Sequence, residues 1–425
     1  WTRIDDGIPE GAYTRTIRED PTTPGLLFAG TETGVYVSLD DGAHWQSLQL
    51  NLPKSSVRDL AIRDGDLVAA THGRSFWVLD DIQPLRDWAK THGQQVHLFQ
   101  PRTPVRFAGY GGGYRPRNAG QNPPNGVIVD WYLATRPDSV VTLEFLDSAG
   151  TVVRSFNSEE KAPSRPAFRN AEAAAQRDAR LEAREQARIA GLADSASFAI
   201  PDSIVPKREG LNRFVWDLQY PDADRVPGII DDYGTRAGPV VPPGTYTARL
   251  TVGGQTYTQN FQVKEDPRVN VTDAQLAAQF DLAMKVRQSI DTIAASIKRI
   301  DELEGQLDTW KSAVTGKPFA ARVDSAAGVV RDSLESVRAA LVCVHCHADE
   351  SSLNYPIQLY NKLISFNMMV LSAHAQPTDA DMKVYADLRG KLDAQLARLD
   401  AAESGPVAAL NGLLDQLGVQ RIGGQ

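Results

Sequence analysis

The chain has 425 residues, 42% hydrophobic and 23% charged, a globular composition too long for one ordinary domain, so two or three are expected. Its formal net charge of −8 argues against a nucleic-acid surface, and no apolar run approaches the roughly 18 residues of a membrane span. The two cysteines lie three positions apart, which excludes a multi-disulfide framework.

The first hundred residues repeat themselves. Leu27-Phe28-Ala29-Gly30-Thr31 through Val35 to Asp41 recurs 40 residues later as Leu67-Val68-Ala69-Ala70-Thr71 through Ser75 to Asp81. Trp1-Thr2-Arg3-Ile4 is matched 44 residues on by Trp45-Gln46-Ser47-Leu48. Each unit reads as short alternating strands joined by Gly, Pro and Asp turns, the length of a four-stranded propeller blade. Between the copies, Ser38-Leu39-Asp40-Asp41-Gly42-Ala43-His44-Trp45 follows the Asp-box pattern Ser-x-Asp-x-Gly-x-x-Trp. In that pattern Asp40 accepts from backbone N–H groups of its own turn, Gly42 permits positive φ, and Trp45 packs the turn down. Trp1 falls at the last position of an earlier box, so the chain is expected to be the C-terminal part of a longer repeat array. The second copy ends in Asp80-Asp81-Ile82 without Gly or Trp, as a last blade leaving the array would.

These motifs resemble the bacterial secreted Asp-box (BNR-repeat) proteins, which are related to the sortilin propeller and often labelled xyloglucanase-like glycosyl hydrolases. The string from Asp66 through His72-Gly73-Arg74 to Asp81 is similar to that family's final blade. The resemblance implies that residues 1–98 are the last two blades of a β-propeller. Their partners would be the remaining blades, supplied by the preceding polypeptide or a cleaved partner chain. It also implies a periplasmic, cell-surface or extracellular location and a protein or glycan ligand. A hydrolase would need two carboxylates flanking the scissile bond. Asp40, Asp41, Asp80 and Asp81 are available, but an Asp-box is a turn device, and no catalytic residue is assigned. His72 and Arg74, whose repeat counterparts are Glu32 and Gly34, suit either a channel mouth or a loop anchor.

Strand patterns follow at 127–133, 140–146, 152–153, 213–218 and 244–252, and Gly253-Gly254 marks a tight hairpin into 256–263. An Ig-like β-sandwich over 99–267 is expected, with a charged helical insertion at about 158–205. From Thr272 the period becomes helical. Thr272 with Gln275 makes a capping box, and Leu276, Phe280, Ala283, Ile290, Ile293, Ile297 and Ile300 form one stripe. Further helices are expected over 322–341, from near Pro356, and after Thr378. Together they make an antiparallel helical bundle over 268–404, with a weakly specified tail at 405–425.

Within the bundle, Cys343-Val344-His345-Cys346-His347 resembles the attachment site of c-type cytochromes. That resemblance implies a covalent haem c, with thioethers from Cys343 and Cys346 and His347 ligating the haem iron. Met368, Met369 or His374 would supply the distal ligand. A disulfide, or a zinc-type cluster using His345 and His347, reads the same residues differently. The expected fold is thus multidomain β plus α: partial propeller, sandwich and bundle. The expected function is that of an exported binding or structural protein. The rivals are a glycoside hydrolase whose carboxylates lie mostly on other blades, and a mono-haem electron-transfer subunit.

Overall fold

The computed structural model describes residues 2–91, 93–107, 123–159, 204–231, 233–346 and 350–423. Nearly all of the expected insertion at 158–205 lies outside the described residues, as do Trp1 and His347. The protein is mixed α+β, with antiparallel sheets followed by a C-terminal region of about five helices. It divides into two compact units, Trp1–Leu218 with Gly244–Lys264, and Gln219–Pro243 with Glu265–Gln425.

The first unit begins with two small sheets, one per sequence repeat. β1 (Thr14–Glu19), β2 (Leu27–Thr31), β3 (Val35–Ser38) and β4 (Gln46–Ser47) pair in that order. The second sheet holds only three strands, β5 (Val57–Arg63), β6 (Asp66–Thr71) and β7 (Phe76–Leu79). Because side chains alternate along a strand, each sheet has two faces. Phe28, Val35 and Val37 from the first sheet share one buried cluster with Leu60, Leu67 and Ala69 from the second.

The rest of this unit is two facing antiparallel sheets. β8 (Val96–Leu98), β10 (Val127–Leu133) and β13 (Gly210–Trp216) form one, in the order β13-β10-β8. β9 (Val105–Arg106), β11 (Thr142–Leu146), β12 (Val152–Asn157), β14 (Gly244–Val252) and β15 (Gln255–Glu265) form the other, in the order β12-β11-β14-β15-β9. Phe145 and Trp216, one from each, stack with ring centroids 4.3 Å apart. The hairpin joining β14 to β15 turns at Gly253 and Gly254, whose φ values of 56° and 79° most side chains would resist. β8 belongs with this pair of sheets, although the repeat-based boundary at 98 had placed it with the blades.

The second unit is built on a long helix, α1 (Asp273–Val314), closed at its start by the Thr272/Gln275 capping box. It packs with α2 (Ala320–Leu341), α3 (Leu359–Val370), α4 (Asp379–Ala402) and α5 (Ala408–Gln416). Ala283, Ile290, Ile293, Ile297 and Ile300 are all buried, as their helical spacing demands. The expected weak tail instead carries α5, which buries Leu410 and Leu414. The segment between β13 and β14, expected inside the sandwich, belongs to the helical unit as a strap, Gln219–Pro243. Thr235 N–H donates to the Ile364 carbonyl at 3.0 Å, and Asn367 Nδ2 donates to the Thr235 and Ala237 carbonyls at 3.0 Å each.

Candidate functional site

The Asp-box turn is tied by its own residues. Asp40 Oδ1 accepts from the His44 amide and from Ser38 Oγ, each at 2.9 Å, while Oδ2 meets His44 Nδ1 at 2.7 Å. Ser38 Oγ also accepts from Gly42 N–H at 2.8 Å. Asp41 and Gly42 take φ values of 58° and 86°, the left-handed corner of the turn. Trp45 is buried against Leu27, Ala29 and Tyr36, and its Nε1 donates to the Ile4 carbonyl at 2.7 Å. Hydrogen bonds from the His44 ring and amide hold the Asp40 carboxyl down to about 2, and Asp40 in turn raises His44. Both oxygens of this carboxylate are engaged within the turn.

The second turn keeps the shape without the motif. Asp81 has φ 57°, matching Asp41, and Ile82 N–H donates to the Gly65 carbonyl as Asp41 N–H does to Gly25. The lost Asp-box hydrogen bonds are replaced by Asp66, whose Oδ1 accepts from Asp81 N–H at 2.9 Å. Arg213 then reaches over from β13. Its guanidinium donates to the Asp80 and Asp81 carbonyls at 3.2 and 3.4 Å, and forms a two-pronged pair with buried Asp130 at 2.8 and 2.9 Å. Burial works against the Arg213 charge, but the Asp130 carboxylate outweighs it and keeps the guanidinium protonated. Asp80 is pushed up by burial and by Asp66. Asp40, Asp41, Asp80 and Asp81 are therefore parts of two turns, with no pair arranged around an open cleft.

His72 and Arg74 lie on the β6–β7 loop with exposed side chains. Their backbones are fixed, since His72 N–H donates to the Ser56 carbonyl and Thr71 Oγ1 accepts from Arg74 N–H. Glu32, the repeat counterpart of His72, holds the equivalent loop, accepting from Arg15 Nε at 2.7 Å and Ser56 Oγ at 3.1 Å.

Cys343 and Cys346 follow α2 directly and are joined in a disulfide, with Cα atoms 5.4 Å apart. Both are nearly inaccessible, at 4% and 5% exposure. His345 is exposed beside Tyr355, and His347 lies outside the described residues. Met368 and Met369 are solvent-facing, 46% and 63% exposed. His374 is engaged elsewhere, with Nδ1 2.5 Å from Glu265. It also lies far along α1 from the cysteines. Gln279 binds the carbonyl of Val370 just before His374, whereas Arg338, just before Cys343, pairs with Asp301 and Glu304. Gln279 and Asp301 are 22 residues apart on one helix, roughly 33 Å at the usual rise. As placed, the described residues of this set do not fit a covalent haem. The sulfurs are bonded to each other, and none of the three distal candidates is brought to them. No group of three or more His, Cys, Asp or Glu that could hold a metal is found among the described residues.

Three features had no signal in the residue patterns: His44 as partner of Asp40, Arg213 as the clasp on the second turn, and the strap. No family model, curated protein or solved structure matches this chain.

Proposed function

We propose that residues 1–98 are two terminal blades of an Asp-box propeller, carried on an Ig-like sandwich and a helical bundle, and that the protein is an exported, non-catalytic binding or structural component. The observation that carries this reading is the bare outer face of the second sheet. Along β7, Trp77 and Leu79 pack inward, while Phe76 and Val78 stand 74% and 52% exposed. The first sheet offers Phe28, Val35 and Val37 to the inner face of the second. Repeating that relation lays another blade over Phe76 and Val78, and a fourth strand on the edge of β7 that is unpaired among the described residues. The disulfide suits an oxidising compartment such as the periplasm or cell exterior.

Hydrogen exchange on the full natural polypeptide tests the reading. The β7 amides that point away from β6 should be protected there and should exchange freely in residues 1–425 alone. Free exchange of those outward amides in the full polypeptide would sink it. A reducing-sugar assay on the same material should show no release; steady hydrolysis would favour a glycosidase instead.

A further inference from the structure

We infer that one end of the two N-terminal sheets binds an acidic polysaccharide of the polyuronate type, through Arg15, Arg58, His72, Arg74 and Tyr13. The inference rests on the binding role proposed above but does not need the blade array to be complete. Strand register brings these residues together. Thr14 pairs with Thr31 and Val57 with Thr71, so the starts of β1 and β5 share an end with the β2–β3 and β6–β7 loops. Glu32 joins the two sheets there. Its N–H donates to the Tyr13 carbonyl at 2.9 Å, and its carboxylate accepts from Arg15 and from Ser56 at the head of β5.

The charge at this end is opposite to that of the chain. Arg15 and Arg58 both act on Glu32, and Arg74 lies on the β6–β7 loop at the same end, in a protein of formal net charge −8. Arg58, His72 and Arg74 are exposed and make no ion pair among the described residues, and the nearby carboxylate of Asp59 is taken by Arg18 at 2.5 Å. The loop presenting His72 and Arg74 is pinned by Thr71 Oγ1 donating to the Ser75 carbonyl at 2.6 Å and Trp77 Nε1 donating to the Arg74 carbonyl at 2.8 Å. The backbone that presents His72 and Arg74 is therefore held in place on an open rim.

An open rim cannot enclose a small anion, whereas a chain carrying a carboxylate on every ring can meet several guanidinium forks in turn. Tyr13, 70% exposed, presents a flat ring beside them for the apolar edge of a pyranose. An acidic peptide carries the same carboxylates but no pyranose face to lay on Tyr13.

Calorimetric titration with polygalacturonate tests the assignment. Binding should weaken as salt rises from roughly 0.05 to 0.3 M, as screening of exposed charges requires. Arg58→Glu with Arg74→Glu should weaken it at least about tenfold. Tyr13→Ala should weaken it severalfold, and Arg63→Glu, at the far end of β5, should leave it unchanged. Absence of binding, or equal affinity in the double variant, would overturn the site. Equal affinity for polyglutamate would overturn the ligand class. None of these outcomes bears on β7 protection, so the two proposals fail separately.

Discussion

With both Asp40 oxygens engaged by Ser38 and His44, its carboxyl is held to about 2 from an ordinary 3.8. A depressed carboxylate stabilises the fold above its ordinary range, and that contribution is lost as pH falls through about 4 toward 2. His44, raised from its ordinary 6.5 by Asp40, behaves oppositely: its contribution is present in acid and fades as pH rises through the raised value. Asp40→Asn should therefore lower the melting temperature by about 2–4 °C near pH 6 and by much less near pH 2, where about half of the native carboxylate is already protonated. It should leave polygalacturonate binding intact. An unchanged melting temperature with lost binding would move Asp40 into a ligand site. The disulfide closes a separation of 3, so its loop entropy is small, and replacing both cysteines by serine should cost about 2 kcal/mol. The native protein should be colourless, with a mass two hydrogens below that of the free thiols. A c-type band in a pyridine haemochrome spectrum would restore the haem. Ser38, Asp40, Gly42 and Trp45 were legible because their motif encodes a turn. His44 sits at one of its free positions, and Arg213 binds carbonyls, which any residue can supply.

At the scale of elements, the strap is held by polar side chains of α3. Tyr360 Oη donates to Asp231 at 2.6 Å, Ser365 Oγ to the Tyr233 carbonyl at 2.9 Å, and Asn367 to two further carbonyls. Burial and Asp231 together push the Tyr360 hydroxyl up, so it stays a donor. Gly234 passes so close to α3 that a Cβ there would lie 2.5 Å from Ile364 Cγ1 and 2.6 Å from its carbonyl carbon. Gly234→Val should cost about 1–3 kcal/mol by overpacking. Asn367→Leu should cost a similar 1–3 kcal/mol, roughly the penalty for leaving buried strap carbonyls unpaired. Helical circular dichroism during urea unfolding measures both, and wild-type midpoints would show the strap to be incidental. The four long helices were readable because their apolar period is local. The strap has no period, and its partners lie about 130 positions away in the chain. Its one legible trace was the pair Asn361 and Asn367 on an otherwise apolar face, both fully buried. Likewise, α5 was missed because Gly405 and Pro406 read as a helix end, yet the helix continues through a wide π turn, Glu403–Val407.

For the molecule as a whole, the two units differ in chemistry and so can be followed separately. Trp45, Trp77, Trp88, Trp131 and Trp216 belong to the first unit and Trp310 to the second, whereas the long helices all lie in the second. Tryptophan fluorescence thus reports mainly on the sheets, and helical circular dichroism on the bundle. Arg213→Met leaves the Asp130 carboxylate, 3% exposed, without its partner. Because the guanidinium is itself 35% exposed, the cost should fall below the fully buried case, at about 2–3 kcal/mol. If the units unfold cooperatively and independently, that variant should lower the fluorescence midpoint and leave the helical one in place. Asn367→Leu should do the reverse, and the double variant should show both shifts unchanged, since the altered groups share no partner. Joint movement of both probes in either single variant would mean that the strap, whose ends run into β13 and β14, transmits unfolding between the units. The chain would then be one cooperative body.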